Sequence, residues 1–324
     1  MIEVIVNDLI RQLKLSNFDS STPASGEWDW INNHFRSRFV WALYNRKWDE
    51  LRSFLLNPLS PMTAYGIITP VDGSNNVNVF NNDFRKDLEL FQSSYPNYEI
   101  SALKHECLLE HPWSRETAPY STYPDSPRHA HFALRIIQTL KHLSSHKVGL
   151  EIGGGYGGQT YFLRKFGLNG KLINCDLLET LLVAYIFLRC NGLSVRLCLS
   201  QEDFVEALAD QDHKLVILIT PDLFECIGQE DQISFVFNSR SFSEMSRETS
   251  TRYLEGINCK IKPSIVFSEN AEELVFPNSE RHLEVTQEEL TSVLSNYQVT
   301  EKKRTEFMGG ANRYTLRVLH RLNS

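Results

Sequence analysis

The chain has 324 residues, 42% of them apolar and 23% charged, with a formal net charge of −7. That is enough for one large α/β domain with a smaller attached region, in a composition ordinary for a soluble globular protein. The negative charge, with no run of Lys and Arg, argues against a protein whose main task is gripping a nucleic-acid backbone. Met1 to Asp8 lack a basic start and a small-residue cleavage pattern. The longest apolar run, Leu177-Leu178 and then Leu181 to Leu188 after Glu179, is too short to span a membrane. The expected compartment is the cytoplasm. The six cysteines (Cys107, Cys175, Cys190, Cys198, Cys226, Cys259) show no C-x-x-C or zinc-finger spacing and are expected to be reduced core thiols.

Ile2, Ile5, Leu9 and Leu13 recur at helical spacing and predict a short amphipathic helix. Ile31, Phe35, Trp41, Tyr44, Trp48, Leu51 and Leu55 predict a longer one, ended by Asn57-Pro58. Pro70 to Asn82, rich in Asn, Gly and Ser, reads as a loop. Phe84, Leu88, Phe91 and Tyr95 mark a third helix, stopped at Pro96. The aromatics of these helices read as core in preference to a sugar-stacking surface. His111 to Pro127 carries four prolines and leads into the next region. There Ser126-Pro127 reads as a helix start with a capping hydroxyl, before Phe132, Ile136, Leu140 and Leu143 on one face.

From Lys147 onward strands alternate with helices, which predicts a mostly parallel sheet covered on both faces. Strands are expected at 148–152, 171–176, 215–220, 233–238 and 264–268. Helices are expected at 159–166, 179–190 and 244–256, and Thr286 to Glu289 forms a capping box that opens another. Val299 to Phe307 and Arg313 to Leu319 are expected as a closing antiparallel pair. The division expected is an N-terminal helical, substrate-shaping region over 1–122 and a Rossmann-like α/β domain over 123–324.

The chemistry concentrates at Glu151-Ile152-Gly153-Gly154-Gly155-Tyr156-Gly157-Gly158, between the first strand and its helix. Gly153, Gly155 and Gly158 fit G-x-G-x-x-G, the dinucleotide fingerprint, so a nicotinamide-dependent oxidoreductase is one alternative. Glu151, Gly153, Gly155 and Gly157 also fit Glu-x-Gly-x-Gly-x-Gly, typical of methyltransferases. S-adenosylmethionine carries an ammonium that a carboxylate would favour, and it has no pyrophosphate for a helix N-terminus to hold. Asp176, ending the second strand, is placed to accept from ribose hydroxyls. Asp222, after the 215–220 strand, is a candidate to line the adenine.

Three blocks resemble the sugar O-methyltransferase group of the Rossmann-like, class I methyltransferases. They are Leu150 to Gly158 with Tyr156 inside the glycine run, Asp176-Leu177-Leu178-Glu179-Thr180, and Asn238-Ser239-Arg240-Ser241-Phe242-Ser243-Glu244-Met245. The second has leucine at 178 where proline is usual. The resemblance covers about residues 125–270 and implies an S-adenosylmethionine-dependent O-methyltransferase acting on a sugar or glycan precursor. It adds Tyr156, Leu177 and Asn238 to the cofactor residues, and Asn238-Ser239-Arg240-Ser241 lacks the Pro-Pro-aromatic continuation of methyltransferases acting on base amines.

A sugar hydroxyl needs a base or a metal to lose its proton. Glu244 is the first candidate base, ahead of His129, His131 and His282. The His129-x-His131 spacing splits the pair over two helix faces, so no metal is expected. Arg240 is a candidate to bind a phosphate of the acceptor. A non-catalytic module working through a partner remains a third reading, and a homo-oligomer is compatible with all of them.

Overall fold

The computed structural model describes residues 1–16, 18, 24–64, 77–111, 117–141, 148–228, 232–274, 283–307 and 314–322, with backbone alone at 77–83 and 118. Eight strands form one sheet in the order β3-β4-β2-β1-β5-β6-β8-β7. They are β1 (Val148–Ile152), β2 (Leu172–Cys175), β3 (Val195–Cys198), β4 (Val216–Ile219), β5 (Ile233–Ser239), β6 (Ile265–Ala271), β7 (Tyr297–Arg304) and β8 (Tyr314–Arg321). β3, β4, β2, β1, β5 and β6 are parallel neighbours, and β8 runs antiparallel between β6 and β7. Chain order reverses at β1, which pairs with β2 on one side and β5 on the other. In open α/β sheets such a reversal opens a crevice at the carboxyl ends of the strands. This is the expected Rossmann-like architecture, mostly parallel, with an N-terminal helical region.

The N-terminal region holds α1 (Ile2–Leu15), α2 (Glu27–His34), α3 (Ser37–Tyr44), α4 (Trp48–Leu55), α5 (Pro61–Ala64) and α6 (Val77–Ser94). The single long helix expected from Ile31 to Leu55 is therefore three short ones. Arg46 adopts φ +54 between α3 and α4, a conformation no helix continues through. Apolar spacing survives such a break, which is why the pattern read as continuous. Of the loop expected over 70–82, residues 70–76 lie outside the described residues and the remainder is helical from Val77. There the ladder anchored by Phe84, Leu88 and Phe91 extends backward through weak helix formers.

Helix α7 (Ser126–Leu140) precedes β1, and α8 (Gly158–Lys165) and α9 (Leu178–Cys190) follow β1 and β2. The Ser126 hydroxyl does not cap α7 as expected: Asp125 holds the N-cap position. Ser126 Oγ instead accepts from Tyr123 N at 3.0 Å and meets His105 Nε2 at 3.0 Å. Helix α9 is buried at twelve of its thirteen residues, so it has no solvent face. Its inner side lies on the sheet, and α1, α3, α4 and α5 cover the outside. A helix apolar all round needs that double cover, and this accounts for the run Leu181 to Leu188.

The opposite face of the sheet carries α10 (Gln201–Ala209), α11 (Pro221–Phe224), α12 (Ser241–Glu244), α13 (Arg247–Glu255) and α14 (Gln287–Val293). β3 and α10 were not anticipated; Ser200 caps α10 by accepting from Asp203 N. The helix expected from Glu244 is split, because Met245 is extended and Ser246 caps a new helix through Thr249 N. The capping box at Thr286 and Glu289 is formed as expected. Cys259 is exposed and Cys107 and Cys226 are half-buried, so only Cys175, Cys190 and Cys198 are core thiols.

Candidate active site

The glycine run leaves β1 at the chain reversal and turns into α8. Gly153 adopts φ +71, and a Cβ there would land on the Ser241 hydroxyl. Only glycine satisfies both the conformation and the space. Across the loop, a Cβ on Gly158 would strike the His129 ring and Tyr156. The loop is thus pressed between β2 on one side and α7 with the β5 end on the other.

On the β2 side, Asp176 Oδ2 accepts from Gly155 N at 2.8 Å and Oδ1 from Leu177 N at 2.7 Å. Each carboxylate oxygen keeps a second lone pair, so Asp176 is oriented without being saturated. Burial, opposed by those two N–H donors, pushes its pKa up to about 7. Glu151 is buried under the loop, accepts from Thr160 Oγ1 at 2.6 Å, and is pushed up to about 8 chiefly by burial. Asn174, paired with Glu151 across β1 and β2, lies where a Gly154 Cβ would go. Both amide atoms of Asn174 and of the buried Gln159 lack hydrogen-bond partners. Natural interiors rarely leave such groups unmatched. Asp222 is exposed at the start of α11, at the same sheet edge.

On the β5 side, one chain of hydrogen bonds runs from Asp125 to Glu269. The Tyr156 hydroxyl donates to Asp125 Oδ1 at 2.6 Å and lies 3.3 Å from His129 Nδ1. Arg128 Nη2 meets His129 Nε2 at 3.0 Å, and Arg128 Nη1 donates to Ser239 Oγ at 2.5 Å. Ser239 Oγ in turn donates to Glu269 Oε2 at 2.5 Å. A guanidinium only donates, so His129 Nε2 accepts and Nδ1 carries the ring proton toward Tyr156. Burial, reinforced by Arg128 and Arg240, drives the His129 pKa well below its ordinary value, which keeps the ring neutral as this tautomer requires.

The expected site residues therefore separate. Gly153, Gly155, Gly157, Glu151, Asp176 and Leu177 gather at the loop, and His129 is pressed against it. Both His129 nitrogens are engaged, however, so it is poorly placed to take a substrate proton. Tyr156 is a strut between Asp125 and His129, its hydroxyl committed to both, in place of the cofactor contact expected of it. Asn238 is also a pin: its amide donates to Ile152 O at 2.8 Å and Ser241 Oγ at 2.5 Å and accepts from Asn270 Nδ2 at 2.9 Å. His131 faces away from the loop, with Nδ1 3.1 Å from the Tyr95 hydroxyl and its ring against Phe307. Burial pulls its pKa down to about 3. His282 lies outside the described residues.

Arg240 stacks on Tyr314 at 4.3 Å, with Nε 3.8 Å from Glu269 Oε1, so it is held as a buried ion pair. Glu244 Oε2 accepts from Trp28 Nε1 at 3.1 Å. That bond brings α2 across the sheet edge. At its other end Asn32 Nδ2 donates to Glu179 Oε1 at 2.6 Å, and Tyr44 from α3 donates to Glu179 Oε2 at 2.9 Å. The sequence reading missed Asp125, Asn174, Gln159 and the α2 residues. Asp125 alone left a usable signal, an acidic residue just before the Ser-Pro helix start. Among the described residues no group of His, Cys, Asp and Glu is arranged to hold a metal ion, and no helix is long and apolar enough to cross a membrane.

No protein-family model matches the chain, and no curated protein matches it in sequence. Several solved methyltransferases share part of its course. A small RNA methyltransferase aligns at 14% identity and TM-score 0.43, over 62% of this chain and 26% of the other, so the chain spans about a quarter of that protein's length. Magnesium protoporphyrin IX methyltransferase from Synechocystis PCC 6803 aligns at 13% identity and TM-score 0.41, over 61% of this chain and 85% of that one. The Burkholderia thailandensis 1,6-didemethyltoxoflavin-N1-methyltransferase aligns at 12% identity and TM-score 0.39, over 76% and 89%. Likeness at this level carries no activity from one chain to another.

Proposed function

We propose that this protein is an S-adenosylmethionine-dependent O-methyltransferase whose acceptor is a hydroxyl of a sugar or glycan precursor. The observation that carries the cofactor reading is Asp176: a carboxylate at the end of β2, tied to the glycine run through Gly155 N, with free lone pairs for ribose hydroxyls. The unmatched amides of Asn174 and Gln159 beside the run are groups a polar ligand would satisfy. Glu151, buried under the loop and holding a proton, would give that proton up to face an ammonium. A dinucleotide pyrophosphate suits the site less well, because Gly155 N–H is committed to Asp176 and two carboxyl groups flank the loop.

The cofactor would supply an electrophilic sulfonium methyl, so the protein has mainly to align an acceptor oxygen and accept its proton. Glu244 is our candidate base: it sits at the carboxyl edge beyond β5, oriented by the Trp28 indole. The engaged ring of His129 leaves it a positioning role, with Tyr156 and Asp125 behind it. The N-terminal helices, which reach this edge through α2, are proposed to shape the acceptor space. The sugar acceptor rests on the resemblance of the Asn238 to Met245 block.

Calorimetry with S-adenosylhomocysteine tests the cofactor reading: saturable binding is expected, with no fluorescence enhancement of added NADH. Absence of binding by folded protein, or an NADH response in its place, would overturn it. Isotopic methyl transfer to a panel of sugar acceptors, lost in Glu244→Gln, then tests acceptor and base together.

A further inference from the structure

Arg36, between α2 and α3, is 0% exposed and heads the fully buried side chains by size. Its Nη1 has two long contacts, Asn32 Oδ1 at 3.3 Å and Thr180 Oγ1 at 3.4 Å. Nε and Nη2 have no acceptor. The rings of Trp28 and Phe39, 5.8 and 5.6 Å away, offer π faces that cannot satisfy N–H groups of the fork. The acids in its field are Glu179 and Asp176, with the Tyr44 hydroxyl beyond. Glu179 accepts from Asn32 and Tyr44 and makes no hydrogen bond to Arg36 Nε or Nη2. Burial lowers the Arg36 pKa, the mark of a cation short of partners.

A buried guanidinium with unused donors is costly unless something supplies acceptors. When ionised, Asp176 offers only acceptors, and Arg36 offers only donors. A group that satisfied both would accept from Arg36 and donate to Asp176, which is the chemistry of a hydroxyl. We infer that Arg36 is a cofactor-binding residue contributed by the N-terminal region, donating through Nε and Nη2 to the ribose hydroxyl oxygens whose protons go to Asp176. This rests on the cofactor reading above and names the fragment recognised: the vicinal diol of an adenosine ribose, gripped from both sides. It also makes residues 1–122 part of the cofactor site.

Calorimetry on the full-length chain tests it with S-adenosylhomocysteine, 5′-methylthioadenosine, which lacks the amino-acid end, and the 2′,3′-dideoxy form of the latter. Arg36→Met should weaken the first two by the same factor, roughly tenfold or more. Its loss on going to the dideoxy ligand should be smaller than the wild type's. An unchanged affinity would overturn the inference, as would a loss confined to S-adenosylhomocysteine, which would assign Arg36 to the cofactor's carboxylate. Wild-type protein supplies a check that needs no variant: equal binding of 5′-methylthioadenosine and its dideoxy form overturns it too. If the wild type binds none of these ligands, the cofactor reading fails first and takes this inference with it.

Discussion

Two buried polar clusters flank the glycine run and follow opposite rules. On the β5 side, donors and acceptors are matched in sequence from Tyr156 and Asp125 through His129 and Arg128 to Ser239 and Glu269. What is left over there is the Nε of Arg128 and the Arg240–Glu269 pair, whose unmatched atoms face each other at 3.8 Å. On the β2 side, Arg36, Asn174 and Gln159 leave six nitrogen and oxygen atoms without partners, beside two carboxyl groups with raised pKa values. A matched network fixes a shape. An unmatched one, kept at a cost inside a folded protein, is where the proposed cofactor would complete the set. The difference teaches that proximity to the loop does not by itself make a residue part of the binding surface: His129 and Tyr156 touch the loop as struts.

The sharpest way to break the comparison is at the loop between the clusters. Gly153→Ala meets both a positive φ and the Ser241 hydroxyl, so a loss of about 2–5 kcal/mol is expected in urea unfolding, with cofactor binding abolished. A neutral result would mean the loop can move, and the division into two sides would lose its basis.

Next in size is Glu151. Its pKa is raised in the fold, so the folded state holds a proton that the unfolded chain has released, and stability falls as pH rises from about 4.5 to about 8. Glu151→Gln should flatten that slope and leave the variant up to a few kcal/mol more stable than wild type at pH 8, with little difference at pH 4. An unchanged pH profile of thermal unfolding would show that Glu151 is not held neutral. The smallest effect is expected on the matched side. Tyr156→Phe removes one hydroxyl from between Asp125 and His129, for about 1–3 kcal/mol of stability, while affinity for S-adenosylhomocysteine stays near wild type. A large affinity loss without a stability loss would reverse the roles assigned to the two clusters.

The legible and illegible parts of the sequence divide along related lines. Strand and helix order after residue 147 could be read because apolar runs, glycine turns and a capping box are local signals. Glu151 and Asp176 could be placed because each ends a strand. The break at Arg46 could not, since a positive φ in a non-glycine residue depends on tertiary packing. β3 and α10 were passed over because Val195 to Cys198 is short and interrupted by Arg196. Arg36 had no signal at all: a charged residue at a helix junction reads as surface, and only the closure of Trp28, Phe39 and α9 around it makes it interior. His131 was a fair candidate by type, but two residues along a helix turn it from the loop toward Tyr95 and Phe307.

Helix α9 carries a last consequence. Because its outer surface is as apolar as its inner one, and the helices before residue 65 are what shield it, the N-terminal region is bound to the sheet by the same interior that holds the sheet together. Gln12 even reaches Tyr185 on that helix, at 3.4 Å. An ancestor that shed the first hundred residues would have exposed a greasy rod of Leu, Val, Ile and Phe to water. The cover is therefore part of the fold's core and not an appendage to it.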